Sequence, residues 1–348
     1  MCRELIFVGV VKNVPNCGVS VKNKIFIDRF SEIFNRVWVV GVKKSRINLF
    51  FLPFQLLRLI ALSLLHKKAV IVLSSNSWES SIIIKCLQMV RQECRVCYWV
   101  AGGIFHELLG DSFQVKTYRN LRAIYVQSPK MVQVMKQKGL NNVLYVPNSK
   151  RIDYFPPIRE WAQGSVVKFL FLSRVHPDKG CGLILESVRR INERGFGDRF
   201  IVDFYGEIFA DYRDLFFHLL SSLNNVRYNG FLDLTHSSGY DILSQYDVLL
   251  FPTYWYGEGF PGIVIDAYVS GVPIIASDWN FNTDVVTDKT GIIIPHHNQK
   301  RLEDEMLRFI NGEYDINKLK RNCQNLVKEY DNRQVLSEQN LKKLGMLS

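Results

Sequence analysis

Short apolar runs alternate with helix-length stretches along most of the chain. In the first half, these runs predict strands at residues 5–10, 37–41, 70–74, 96–100, 123–127 and 143–147. Stretches such as 20–34 and 78–91 lie between them and are long enough for helices. Regular alternation of strand and helix is typical of parallel sheets built from βαβ units. The first half therefore predicts a doubly wound α/β domain.

The same pattern restarts after a proline- and charge-containing stretch, 154–164, which is interpreted as a linker. Strands are predicted at residues 166–173, 200–206, 226–230, 247–252, 273–277 and 291–295. The predicted domains are 1–160 and 161–320. The polar segment 321–348 predicts one or two surface helices that pack back toward the first domain. Two doubly wound domains are expected to form a binding cleft at the carboxyl ends of their strands.

Composition narrows the classes of protein that remain. The 348 residues are 47% apolar and 22% charged, as in a globular protein. Seven scattered cysteines, and a start that leads straight into a strand without a signal peptide, predict a cytoplasmic protein. A net charge of +11 indicates an acidic partner. The basic residues form only small clusters without a nucleic-acid motif, so nucleic-acid binding is not expected.

The segment 49–65 is apolar enough that it must be considered as a membrane-spanning or membrane-surface helix. It is shorter than the roughly 20 residues of a spanning helix and contains Pro53, Gln55 and Arg58. A core helix and a helix lying in a membrane surface both remain open, because His66-Lys67-Lys68 provides a basic flank. Together with the net charge, this segment predicts peripheral association with the anionic inner face of the cell membrane.

The most informative motif is an acid framed by glycines after the strand at 247–252. The loop reads Gly257-Glu258-Gly259-Phe260-Pro261-Gly262. Glycines allow backbone to approach a ligand, and proline suits the start of the helix that follows. Asp266 lies about five residues into that helix, roughly 7.5 Å along its axis. Two carboxylates at this separation can grip two hydroxyl-bearing parts of one ligand, although a solvated turn with two surface acids is the alternative.

A second motif places two cations at the end of the strand at 166–173. Arg174 and Lys179 lie in the turn before Gly180 and the next helix. Cations beside a helix N-terminus suit a diphosphate and would neutralise a leaving group, whereas an ordinary charged surface turn is the alternative.

Two weaker signals lie in the first domain. Gly18 begins the first predicted helix and is a candidate phosphate or acceptor contact, or a plain tight turn. Gly102 and Gly103 follow the strand at 96–100, and His106 comes next as a proton carrier, an acceptor contact or a structural histidine. The CxxC at Cys94 and Cys97 has no second ligand pair, so no metal site is predicted.

Together these motifs resemble family 4 of the retaining glycosyltransferases, which has the GT-B fold of two Rossmann-like domains with a central cleft. Glu258 and Asp266 stand where that family carries its E-x7-E motif, and Arg174 with Lys179-Gly180 matches as well. The resemblance is strong over residues 166–295 and looser before them, where Gly102-Gly103 and 146–150 resemble bacterial members that build surface polysaccharides. Two departures are Asp266 in place of the usual Glu, and Ala101 where many members have His.

The resemblance implies a hexosyltransferase that uses a nucleotide-sugar donor, UDP- or GDP-linked, and a glycan or lipid-linked acceptor. It implies that Arg174 and Lys179 bind the diphosphate, that Glu258 contacts the transferred sugar and that Asp266 holds the ribose. Amides of residues 259–262 would assist. Retention by front-face attack, without metal or other cofactor, is also implied, with capsule, O-antigen or exopolysaccharide synthesis as the setting.

Two other functions share this architecture. A sugar-nucleotide epimerase would need an acid/base set for proton removal at a sugar carbon, and no such set is evident. A non-catalytic nucleotide- or glycan-binding protein would not need Glu258, Arg174 and Lys179 together.

Overall fold

A computed structural model describes residues 3–11, 18–42 and 48–347. It consists of two units, one formed by Met1–Arg151 with Tyr330–Ser348 and the other by Ile152–Glu329. Each unit contains a six-stranded sheet whose described pairings are all parallel. The prediction of two doubly wound α/β domains is confirmed. Cys2, Asn16, Cys17, Lys43 and Lys44 lie outside the described residues.

The first unit has the strand order β2-β1-β3-β4-β5-β6. Its strands are β1 (Glu4–Gly9), β2 (Arg36–Gly41), β3 (Val70–Ser74), β4 (Val96–Trp99), β5 (Ala123–Val126) and β6 (Val143–Tyr145). Its helices are α1 (Gly18–Ile33), α2 (Asn48–Leu65), α3 (Ser77–Met89), α4 (Phe105–Leu108) and α5 (Pro129–Gln137), with α12 (Asn332–Val335) and α13 (Glu338–Lys343) from the chain's end. The inner strands are buried along their length, which explains why they appear in the sequence as continuous apolar runs.

The second unit has the strand order β12-β11-β10-β7-β8-β9. Its strands are β7 (Val167–Leu172), β8 (Phe200–Tyr205), β9 (Val226–Tyr228), β10 (Val248–Phe251), β11 (Ile274–Ser277) and β12 (Gly291–Ile294). Its helices are α6 (Cys181–Glu193), α7 (Arg213–Leu220), α8 (Ser237–Leu243), α9 (Gly262–Val269), α10 (Gln299–Ile310) and α11 (Ile316–Leu326). The strands β7 and β10 lie at the centre, side by side, so the loops that follow them start next to each other.

The chain enters the second unit at Ile152, ahead of the predicted boundary between residues 160 and 161. Residues 152–161 contain no helix or strand, but polar contacts hold them in this unit. Arg159 and Lys320 both pair with the buried carboxylate of Asp247, at 2.5 and 2.9 Å. The backbone of Trp161 exchanges two hydrogen bonds with the Asn317 side chain. The stretch interpreted as a linker is therefore part of the packed structure of the second unit.

The C-terminal segment 321–348, which was predicted to be helical, is divided between the two units. The helix α11 belongs to the second unit, and residues 330–348 belong to the first. Leu336 and Leu341 are fully buried in the first unit's core, and the hydroxyl of Tyr125 donates to the carbonyl of Leu344 at 2.7 Å. Residues 330–348 thus form helices that pack on the first unit with one side, while polar residues such as Gln334 and Lys343 stay exposed.

No helix within the described residues is both long enough and apolar enough to cross a membrane. The segment predicted at 49–65 forms α2, which includes Pro53 in its second turn.

Candidate functional site

Two glycines allow the loops at the carboxyl edge of the second sheet to approach closely. Gly180 has φ +79°, and a Cβ there would lie 2.4 Å from the carbonyl oxygen of Pro252. Gly206 has φ +135°, and its Cβ would lie 1.8 Å from the carbonyl oxygen of Ser173. Both positions exclude a side chain on steric and backbone grounds. The loop after β7 is therefore confined between the loops after β10 and β8.

Lys179 and Glu258 form a buried ion pair across these loops. The Lys179 ammonium donates to Oε2 of Glu258, and only 6% and 12% of the two side chains are exposed. The hydroxyl of Thr253 donates to the same carboxylate oxygen at 3.2 Å. A pair in this environment interacts more strongly than a surface pair because water screens it less. The carboxylate is therefore held in a single position by donors from two loops.

Arg174 is held by aromatic faces. Its guanidinium carbon lies 5.0 Å from the Trp255 ring centre and 5.4 Å from that of Phe209. No ion pair of Arg174 occurs within the part of the chain that the structure describes. The Lys179 ammonium lies 5.5 Å from the same Trp255 ring. Cations within about 6 Å of a ring face are attracted by its quadrupole. Trp255 thus contacts both cations, and its ring orients Arg174 without neutralising it.

The loop that carries Trp255 and Glu258 is fixed by its backbone. The Trp279 indole donates to the carbonyl of Trp255 at 2.8 Å, and the Glu258 amide donates to the same carbonyl at 3.0 Å. The side-chain amide of Asn280 donates to the Glu258 carbonyl at 2.9 Å. The loop is therefore a rigid support for the ion pair, held by the segment that follows β11.

The helix α9 carries the second acid of the motif. Pro261 is its N-cap residue and Gly262 its first residue, so Asp266 lies one turn inside, where it is 3% exposed. The Tyr240 hydroxyl donates to Asp266 Oδ1 at 2.9 Å. Burial, and then the charge of Asp266, raise the pKa of Tyr240 well above its usual value. Tyr240 therefore remains a proton donor to Asp266 at every physiological pH.

Residues 259–262 connect this helix to the ion pair. Phe260 is buried at 5% exposure, whereas Gly259 and Gly262 are partly exposed. Phe260 therefore packs inward, and the backbone of the two glycines stays accessible. Backbone amides at the start of a helix favour anions or hydroxyl oxygens.

The arrangement suits a ligand with an anionic and a hydroxyl-rich part. Arg174 and Lys179 supply positive charge, while Glu258 supplies a fixed acceptor for hydroxyl groups. Pre-oriented charges of this kind stabilise charge that develops on a leaving group, at little reorganisation cost.

The candidate residues of the first unit lie in two helices and one turn. Gly18 is the first residue of α1, and Gly102 has φ +88° in the turn after β4. Gly103 is buried in that turn. His106 lies in α4 and is 7% exposed. Burial lowers the pKa of His106, so its neutral form dominates at pH 7.

Sequence reasoning missed Trp255, Phe209 and Tyr240. The signal for Trp255 was the run Thr253-Tyr254-Trp255-Tyr256, because aromatic residues in a short polar turn before an acid are unusual. Phe209 and Tyr240 lie far from the motifs along the chain and carried no local signal.

A known protein family matches most of the second unit. Residues 167–312 match the family model described as glycosyl transferases group 1. This range contains Arg174, Lys179, Glu258 and Asp266. No curated protein sequence matches the chain significantly.

Solved structures resemble the whole chain. HepE (Alr3699) from Anabaena, in complex with UDP-glucose, has a TM-score of 0.74 at 13% identity, covering 99% of this chain and 100% of that one. Sucrose-phosphate synthase from Thermosynechococcus elongatus has a TM-score of 0.73 at 14% identity, covering 98% of both chains. The lipopolysaccharide outer core galactosyltransferase WaaB, in its apo form, has a TM-score of 0.70 at 13% identity, covering 99% and 100%.

These likenesses confirm the predicted GT-B fold with two Rossmann-like domains. With the family match in the second unit, they support a glycosyltransferase.

Proposed function

We propose that this glycosyltransferase moves a hexose-type sugar from a UDP- or GDP-sugar to a glycan or lipid-linked acceptor, with retention of configuration and without a metal ion. The observation that carries the proposal is the geometry around Trp255. One cation, Arg174, is held on its ring beside the buried Lys179–Glu258 pair. A donor diphosphate satisfies both cations, and the sugar's hydroxyl groups satisfy the carboxylate.

Each candidate residue has a proposed role in this reaction. Arg174 and Lys179 bind the diphosphate and stabilise the charge that develops on it as the glycosidic bond breaks. Glu258 accepts hydrogen bonds from hydroxyl groups of the transferred sugar. Asp266, oriented by Tyr240, contacts the ribose. These roles are those of retaining family 4, to which we propose the chain belongs.

The remaining residues have less specific proposed roles. The backbone amides of Gly259, Phe260 and Gly262 assist donor binding, while Pro261 begins the helix that positions them. In the first unit, Gly18, Gly102 and Gly103 provide backbone for phosphate or acceptor contacts. His106 contacts the acceptor in its neutral form, which can accept one hydrogen bond and donate another.

The solved relatives suggest where to begin. HepE was crystallised with UDP and with UDP-glucose, so UDP-sugars are the first donors to test. WaaB is described as a lipopolysaccharide outer core galactosyltransferase, which supports surface polysaccharide synthesis as the proposed setting. The cytoplasmic face of the cell membrane is the location that we propose for it.

The test combines binding with turnover. Purified protein is incubated in EDTA with a panel of UDP- and GDP-sugars, while thermal protection and nucleotide release are followed. Protection by one nucleotide class is expected. The anomeric configuration of the product, read by NMR, tests retention. A lack of protection by any nucleotide would refute the donor site, and activity only after metal addition would refute metal independence.

Two variants separate binding from transfer. Lys179→Met should weaken nucleoside diphosphate binding, because it removes a cation. Glu258→Gln should retain that binding but lose transfer, since Lys179 then has no carboxylate competing with the phosphate. Glu186→Gln is the matched control, because it breaks an exposed ion pair with Arg189 on α6. If Glu258→Gln transferred sugar at the wild-type rate, the proposed role of Glu258 would be wrong.

A further inference from the structure

Two neighbouring helices of the first unit expose large apolar side chains to solvent. We call this surface the α2–α3 face. It consists of Phe54, Leu57, Leu64 and Leu65 on α2, and Trp78, Ile82 and Met89 on α3. Leu65 and Met89 are 77% and 84% exposed. Scattered apolar residues are normal on protein surfaces, but a contiguous group indicates an interaction site.

The exposed residues of α2 lie on one side of the helix. Phe54, Leu57, Leu64 and Leu65 are spaced by three, seven and one residues, so they span about a third of the helix circumference. Leu59 and Ser63 on the opposite side are buried. The helix therefore uses one apolar side for the core and leaves a second one in solvent. A helix that only covers a core would carry polar residues on that outer side.

The helix α3 repeats this arrangement. Trp78, Ile82 and Met89 are spaced by four and seven residues and lie on one side. Ile83, Ile84 and Leu87 lie on the opposite side of the helix and are buried. Lys85 is exposed between Ile82 and Met89 on the outer side.

The two outer sides belong to a single surface. The crossovers β2–α2–β3 and β3–α3–β4 run in the same direction along the strand order β2-β1-β3-β4. Right-handed crossovers in the same direction place their helices on the same face of a sheet. The helices also contact each other. Their outward-facing residues are therefore accessible to one and the same partner.

The charge around this face is one-sided. Between residues 53 and 92 the chain has five basic residues and one acidic residue, Glu79. The basic residues are Arg58, Lys67, Lys68, Lys85 and Arg91, all of them exposed. Binding to an uncharged protein surface would not require an excess of basic residues. An anionic membrane surface favours such an excess, because it attracts the positive side chains.

The C-terminal end of α2 is rigidly anchored. The Arg95 guanidinium donates to the carbonyls of Ser63, His66 and Ala69, at 2.7, 2.5 and 2.9 Å. This arginine holds the end of the helix, and with it the turn containing Lys67 and Lys68. The apolar residues and the basic turn thus keep a fixed spacing before any partner binds.

We propose that the α2–α3 face docks on an anionic phospholipid bilayer. The apolar side chains enter the boundary between headgroups and acyl chains, while the flanking Lys and Arg side chains contact the headgroups. This inference names the surface for the membrane association expected from the sequence. It does not depend on the donor chemistry, because none of these residues belongs to the candidate site.

The experiment is co-sedimentation of the full chain with vesicles of phosphatidylcholine alone, or with about a third phosphatidylglycerol. Binding to the anionic vesicles, weakened by salt, is expected. Leu57→Ser with Leu65→Ser should reduce the partition coefficient about tenfold or more, because two large apolar groups no longer enter the membrane. Lys67→Gln with Lys68→Gln should remove most of the preference for anionic vesicles. All substituted side chains are exposed, so folding should be preserved.

The control is Leu215→Ser with Ile242→Ser, which removes two exposed apolar side chains of the second unit. It should bind vesicles like the wild type. Nucleotide protection should be unchanged in every variant, which separates failure of this inference from failure of the donor site. Equal binding by all variants, or no preference for anionic lipid, would overturn the inference. Self-association lost in the Leu57/Leu65 variant, without vesicle binding, would instead assign the face to a second copy of the chain.

Discussion

Replacing Trp255 by alanine should weaken nucleoside diphosphate binding while leaving nucleoside binding unchanged. The Trp255 ring contacts both cations of the candidate site, with Arg174 at 5.0 Å and Lys179 at 5.5 Å from its centre. Lys179 is also held by Glu258, so its position should survive the substitution. Of its two aromatic contacts among the described residues, Arg174 would keep the one with Phe209, at 5.4 Å. The substitution therefore acts mainly on the orientation of Arg174.

The size of the effect follows from two contributions. A partly desolvated cation–aromatic contact is worth about 1 to 2 kcal/mol. Immobilising a flexible side chain on binding costs about 0.5 to 1.5 kcal/mol, which the ring removes in advance for Arg174. These are two descriptions of the same pre-orientation and should not be added. A loss of about 1 to 2 kcal/mol corresponds to about five- to thirtyfold weaker binding.

The assay is isothermal titration with the nucleoside diphosphate and with the matching nucleoside. Trp255→Phe should recover most of the affinity because it retains an aromatic face. Phe217→Ala is the control, since it removes a similar contact, with Arg213 at 5.4 Å, from the surface helix α7 of the same unit. It should bind both ligands normally.

Two results would refute this reasoning. Unchanged diphosphate affinity in Trp255→Ala would mean that the ring does not orient Arg174 for the ligand. Equal losses for nucleoside and diphosphate would mean that the ring contacts the base or supports the loop generally. Rescue by Phe with a loss confined to the diphosphate is the outcome that the geometry predicts.

Three further predictions concern stability. Asp247→Asn should destabilise the second unit by about 3 kcal/mol or more in denaturant titration, because buried Lys320 loses its carboxylate; Glu186→Gln is the exposed control. Gly180→Ala should lower the Tm more than Gly195→Ala, which has similar φ but open space around it, and equal shifts would refute the steric argument. Burial lowers the pKa of Lys22 to about 7. The unfolded chain therefore binds a proton that the folded one lacks between about pH 7 and 10.5, so Lys22→Met should stabilise most at pH 7 and least near pH 10.5. Partial exposure of Lys22 reduces the size of this effect, and a Tm difference independent of pH would contradict it.

Much of the fold was predictable because parallel strands covered on both faces leave a strong local pattern. All twelve predicted strands occur within a few residues of the observed bounds, from β1 (Glu4–Gly9) to β12 (Gly291–Ile294). The motif at Glu258 could also be found from the sequence, because glycines on both sides of an acid are a local feature. The strand order, which makes β7 and β10 neighbours and brings the loops of Arg174 and Glu258 to the same edge, was not predicted from the sequence.

Contacts between distant parts of the chain were beyond local pattern. Residues 154–164 were interpreted as a linker, yet Arg159 pairs with Asp247 and the carbonyl of Pro156 accepts from Gln324 at 2.9 Å. In this segment a few long-range contacts outweigh the average composition. For residues 330–348 the sequence predicted packing toward the first domain, whereas the burial of Leu336 and Leu341 in that unit's core required the tertiary structure.

The sequence alone determined the two doubly wound sheets, the order of their elements and the identity of the charged groups at the carboxyl edge of the second sheet, because these depend on periodicity and spacing. Only the tertiary structure decided how those charges are held. Lys179 is paired with Glu258, Arg174 rests on Trp255 and Asp266 is bound by Tyr240. It also decided that α2 and α3 leave apolar sides in solvent. The physical reason is that the sequence shows which side chains are apolar, whereas the burial of each one depends on which distant residues cover it in the folded chain.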